Sequence, residues 1–124
     1  MSSPTPEDLH RAFIIAFNAG DIEAVLRLYE TEAALVPQPG QTTTGYAANR
    51  RALEQFIALN GHMTMSTSYV VRTGDLALLR GEWRLSATNP KGEEIELKGK
   101  NIEVARRQQD GGWLFVIDHP FGAD

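Results

Sequence analysis

At 124 residues the chain is long enough to bury one hydrophobic core and too short for two. Its 16 acidic residues against 12 Lys and Arg leave a formal net charge of −4, so no nucleic-acid partner is expected, because phosphate binding needs a positive surface. The absence of cysteine excludes disulfides, thiolate metal sites and a cysteine nucleophile, and fits a reducing cytoplasm.

Met1-Ser2-Ser3-Pro4 has neither a basic start nor an apolar run, so a signal peptide is not expected, and no apolar stretch is long enough to span a membrane. Thr5-Pro6-Glu7-Asp8 reads as a helix start: Thr5 as cap, Pro6 at the first helical position, two acids at the positive end of the dipole. Leu9, Phe13 and Phe17 recur every fourth residue beside Ala12 and Ala16, which makes one apolar helix face. Gly20 closes this helix and Asp21 caps a second, short one carrying Ile22, Val25, Leu26 and Tyr29. Ala33 to Val36 is a short apolar run ended by the turn Pro37-Gln38-Pro39-Gly40, and Thr42 to Thr44 pairs back briefly. Gly45 leads into a third helix with Tyr46, Leu53, Phe56 and Ile57 on one face.

After Gly61 the apolar period falls from about 3.6 to 2. His62 to Arg72 carries Met63, Met65, Tyr69 and Val71 at odd positions; Leu76 to Thr88 carries Ala77, Leu79, Gly81, Trp83 and Leu85 at odd positions against Arg80, Glu82, Arg84 and Ser86. That is the alternation of strands with one face in and one face wet. Asn89-Pro90-Lys91-Gly92 turns the chain into a long strand from Glu94, where Ile95 and Leu97 are odd but Ile102 and Val104 even. A phase flip at a β-bulge near Gly99 is the expected reason. Asp110-Gly111-Gly112 is a hairpin turn, and Trp113 to Ile117 is apolar on both faces, so it lies centrally under helices or is covered outside by a second subunit. The whole is α+β: three N-terminal helices packed on a strongly curved, mainly antiparallel sheet, a cone-shaped barrel in a single domain over residues 1–124.

Strand phase places Trp83 with Leu79 and Leu85 on the inner face, and the flip brings Asn101 and Glu103 to that face too. A pocket is therefore expected there, beneath Phe13, Phe17 and the third helix, with Met63 and Tyr46 in its wall. Facing the pocket, Glu103 is desolvated, its pKa rises and it becomes a proton donor; facing outward, it pairs with Arg84 or Arg106. Asp118 follows an apolar run and needs a partner, or caps the strand end. His119 is a base near neutral pH, or holds the terminal turn before Pro120. His10, His62 and His119 are dispersed with no metal-ligand spacing, and no phosphate loop, dinucleotide fingerprint or serine elbow is present, so neither metal nor cofactor is expected.

Phe17-Asn18-Ala19-Gly20-Asp21, Gly45, Gly81-Glu82-Trp83, Glu103 to Arg107 with Asp110 to Trp113, and above all Val116-Ile117-Asp118-His119-Pro120-Phe121-Gly122 resemble the nuclear transport factor 2-like superfamily, in its SnoaL-like and ketosteroid-isomerase-homologue branch. The resemblance covers nearly the whole chain. It implies a cone-shaped α+β fold, a deep apolar pocket for a small hydrophobic or polyketide-like molecule, and a homodimer across the outer sheet face. It does not imply one reaction, because the fold hosts isomerases, cyclases, dehydratases and non-catalytic association modules. In true ketosteroid isomerases a proton-shuttling carboxylate precedes a proline at the end of the first strand; the matching residue is Val36, so that activity is not expected. Their hydrogen-bond-donating acid is matched by Glu103, and the Asp and His of SnoaL-like cyclases are matched in type by Asp118 and His119.

Overall fold

In the computed structural model, which describes residues 3–124, the elements follow as α1 (Pro6–Asn18), α2 (Ile22–Leu26), β1 (Tyr29–Gln38), β2 (Gln41–Thr44), α3 (Tyr46–Ile57), β3 (His62–Thr73), β4 (Leu76–Thr88), β5 (Glu94–Arg107) and β6 (Trp113–His119). The six strands form one sheet in the order β2-β1-β6-β5-β4-β3. All neighbours are antiparallel except β1 and β6, which run parallel. The expected α+β fold is therefore the one adopted, with the sheet open at β2 and β3 rather than closed on itself.

Local chemistry sets the element ends. Gly20, at φ +67°, ends α1: its N–H bonds Phe17 O and that of Asp21 bonds Ala16 O, the paired closure of a left-handed cap. Asp21 Oδ1 then accepts from Ala24 N at 3.1 Å and starts α2. Thr5 does not cap α1 through its side chain; its hydroxyl donates to Asp8 Oδ2 instead.

α1 lies over β3, β4 and β6, and α3 over β1 and β2. Two buried or half-buried asparagines fasten these layers. The Asn18 amide donates to Met63 O and accepts from Met63 N at 2.9 and 2.8 Å, so α1 takes up main-chain groups of the edge strand β3. Asn49 donates to Ala33 O and accepts from Thr43, which joins α3 to β1 and β2. Leu9, Phe13, Phe17, Leu35, Leu53, Leu79, Trp83, Leu85 and Phe115 belong to the core between helices and sheet.

The phase flip lies elsewhere than expected. β4 and β5 pair without interruption from Leu76↔Arg106 to Thr88↔Glu94, so odd residues of β5 face inward throughout, and Ile102 and Val104 belong to the outer face. Gly99 is needed for close approach rather than for a bulge: a Cβ there would stand 2.7 Å from both Pro120 O and Trp83 Nε1. Register shifts lie in β6, where Val104↔Ile117 and Ala105↔Phe115 leave Val116 extra, and in β3. Thr67 pairs with Gly81 and Tyr69 with Arg80, which leaves Ser68 as the extra residue. Met63, Met65 and Thr67 precede it in inward phase; Val70 takes that phase after it, and Tyr69 and Val71 turn outward, 51% and 54% exposed.

Candidate active site at the inner face of the sheet

A small cavity of about 40 Å³ lies between α1, α3 and the concave face of the sheet. Phe13 and Phe17, stacked with ring centroids 5.7 Å apart, cover it, and Met63, Trp83 and Phe115 are among its apolar walls. Trp83 is held by its indole N–H, which donates to Pro120 O at 2.8 Å, and by an edge contact with Phe121. The terminal turn thus forms part of the wall.

The polar end of the cavity is a group of side chains brought from five elements. Glu103 on β5 stands opposite Asp118 on β6. Both are buried and both line the cavity. Glu103 Oε1 accepts from His10 Nε2 on α1 at 2.6 Å, and Oε2 accepts from the Asn101 amide at 2.7 Å. Tyr29, at the head of β1, donates to Asp118 Oδ2 at 2.5 Å. His10 Nδ1 meets Thr67 Oγ1 of β3 at 2.7 Å.

These partners set the electrostatics. Burial, then the charge of Glu103 and a hydrogen bond to it, push the Asp118 carboxyl up to about 8 against the opposing hydrogen bond from Tyr29. Burial first, and then Asp118, raise the Tyr29 hydroxyl well above its ordinary range, so it stays a donor. At neutral pH Asp118 holds its proton, and two facing carboxyls coexist by hydrogen bonding rather than by repelling. Asn101 Oδ1 is buried without a hydrogen-bond partner in the protein.

Of the residues singled out in the sequence, Phe13, Phe17, Met63, Trp83, Asn101, Glu103 and Asp118 line this cavity. Glu103 meets no arginine: Arg84 pairs with Glu96 and Arg106 with Glu30 on the surface. Tyr46 does not reach the cavity. It sits on the first turn of α3, 47% exposed, and its hydroxyl donates to Glu23 beside Arg50. His119 does not reach it either, because neighbours on a strand face opposite sides and Asp118 takes the inner one. His119 pairs with Ile102 and carries the terminal turn through Gly122 N to its carbonyl, with its Nδ1 buried and unpartnered. Asp118, expected only to need a partner or to cap the strand end, is the carboxyl that burial pushes up.

His10, Tyr29 and Thr67 were missed. His10 lies three and seven residues before Phe13 and Phe17, on the same helical face, and that spacing was the available signal. Among the described residues no three His, Asp or Glu side chains are arranged to hold a metal ion.

Three helices on a curved, open, mixed sheet with a pocket at its concave face define a nuclear transport factor 2-like fold. Residues 10–115 match the SnoaL-like domain, and the chain belongs to that family. No curated protein matches it at the sequence level. Among similar solved structures is a provisionally assigned calcium/calmodulin-dependent protein kinase type II association domain from Thiobacillus denitrificans, at TM-score 0.79 and 20% identity over 96% of this chain and 95% of that one. A ketosteroid isomerase-like protein from Erwinia carotovora superposes at TM-score 0.73 and 23% identity, over 91% and 89%. A provisionally assigned dehydratase of the NTF2-like family from Streptomyces avermitilis gives 0.75 and 22%, over 93% of each chain. Identities this low establish a shared fold and nothing about the reaction. No helix is long and apolar enough to cross a membrane among the described residues.

Proposed function

We propose that the protein binds a compact, mainly apolar small molecule at the inner face of the sheet and moves a proton on it, in the manner of an isomerase, cyclase or dehydratase. The observation that carries this reading is the buried Glu103–Asp118 pair at the end of an apolar cavity, with Asp118 holding its proton at neutral pH. Asp118 is the donor toward a carbonyl or hydroxyl oxygen of the ligand. Glu103 receives and returns the proton through the hydrogen bond the two share. The unpartnered Asn101 Oδ1 favours a ligand that also brings a hydroxyl or N–H. A cavity of about 40 Å³ limits the ligand to a compact one unless Met63, Met65 and the phenylalanines move.

The test is a titration with compact cyclic hydroxyketones in a Trp113→Phe background, so that Trp83 is the sole indole. Binding quenches Trp83 fluorescence, and Glu103→Ala weakens it. Catalysis is read separately, as enzyme-dependent deuterium uptake beside the ligand carbonyl in D2O. Quenching that is untouched in Glu103→Ala, or absent with every ligand, would sink the binding reading; binding without deuterium uptake would leave a binding protein.

A second reading, an association module, is favoured by the outer face of the sheet. Val71, Leu78, Val104 and Ile117 stand in one row across β3, β4, β5 and β6, with Val71 and Ile117 the most exposed. Such a stripe suits a homodimer formed by two copies of this face, and it is compatible with a working site on the inner face.

A further inference from the structure

The catalytic reading uses the carboxyl pair and leaves His10 and Thr67 without a task. The geometry points to these two residues as a proton inlet, a hydrogen-bonded path by which the buried Glu103–Asp118 pair exchanges protons with water across the edge of the sheet. The inference rests on the carboxyl pair being the working site, and adds the route that supplies it.

Four joined observations support the path. His10 is only 4% exposed, yet its two ring nitrogens reach in opposite directions, Nε2 to Glu103 Oε1 at 2.6 Å and Nδ1 to Thr67 Oγ1 at 2.7 Å. Thr67 belongs to β3, the free edge of the sheet, and is exposed, whereas Glu103 and Asp118 are 3% and 7% exposed. The register shift at Ser68 comes directly after Thr67, so Thr67 is the last inward-phased residue before the strand turns its alternation over. The residues beside Thr67 in the pairing are Gly81 and then Asn101, so no side chain on β4 stands between Thr67 and the inner cluster. Hydrogen bonds therefore run from an exposed hydroxyl through a buried imidazole to a buried carboxyl, the arrangement needed for stepwise proton transfer.

The step balances without any added group. Thr67 Oγ–H donates to Nδ1, and Nε2–H donates to Glu103. A proton arriving from water at Thr67 Oγ releases the hydroxyl proton to Nδ1, and the Nε2 proton passes to Glu103, which reloads Asp118 once Asp118 has given its own proton to the ligand. The imidazole is left as its other tautomer, and the outward transfer of a proton restores it.

The experiment follows the His10 ring N–H in ¹⁵N-labelled, ligand-free full-length protein, with its exchange against water measured by saturation transfer. Thr67→Val keeps a β-branched strand residue and removes the hydroxyl; Thr67→Ala is the second deletion should the first misfold, and Thr67→Ser restores the hydroxyl. Exchange is expected to slow by about tenfold or more in the deletions, the scale of one lost hydrogen bond, with amides of α1 unchanged. In Thr67→Ser it is expected to stay close to the native rate. Native-rate exchange in both deletions, or slowing in Thr67→Ser equal to that in Thr67→Val, would overturn the inlet. Because no ligand is used, the outcome is independent of whether the hydroxyketones bind.

Discussion

Glu103 and Asp118 stand directly opposite one another on β5 and β6, both buried and both facing the interior. Like charges placed opposite each other on a sheet repel, and burial removes the water that would screen them. The pair persists because the proton stays on Asp118, with Tyr29 bonded on one side and Glu103, itself held by His10 and Asn101, on the other.

Stability should therefore fall as pH rises across the neutral range. Asp118 titrates near 3.8 when unfolded and near 8 when folded, so between those values the folded state binds more protons than the unfolded one. The contribution is fully present below about pH 4 and is lost as pH rises through 8, by on the order of a few kcal/mol. Asp118→Asn places an uncharged amide between Tyr29 and Glu103. Urea denaturation at pH 5 and pH 8.5 is expected to show a clear loss in the native protein and a smaller one in the variant.

Gly99→Ala tests the close approach at the terminal turn. Its Cβ would meet Pro120 O and Trp83 Nε1 at 2.7 Å, and neither is a free end that swings away. A loss of about 1–3 kcal/mol is expected, with a red shift of Trp83 emission as the indole leaves Pro120. An unchanged midpoint and spectrum would contradict that account.

Light scattering at micromolar concentration should find a dimer. Ile117→Lys puts a charge at an exposed position of the outer row and should yield monomers with the inner site intact. A native monomer would remove the assembly proposal.

Ketosteroid isomerase activity should be absent. Val36 cannot carry a proton, and Leu35, not Val36, is the β1 residue that lines the cavity. Conversion of a 5-ene to a 4-ene ketosteroid above the buffer rate would show the comparison to be wrong.

The sequence by itself determined the elements and their order, because helix and strand periods are local. The four-residue recurrence of Leu9, Phe13 and Phe17 and the alternation from Ala77 to Leu85 are complete within their own segments. The inward placement of Asn101 and Glu103 was legible too, but on a mistaken premise. Ile102 and Val104 suggested a flip at Gly99 because an apolar residue on an outer stripe looks the same in sequence as one in the core. The shift at Ser68 left no trace, since Tyr69 and Val71 continue the odd apolar pattern while pointing outward. Only the tertiary structure decided the site. His10 meets Glu103 across 93 positions and Tyr29 meets Asp118 across 89. Those contacts depend on α1 crossing the sheet and on β1 pairing parallel with β6, neither of which any local pattern encodes. The raised pKa of Asp118 was out of reach for the same reason: a carboxyl's proton affinity follows from what surrounds it after folding.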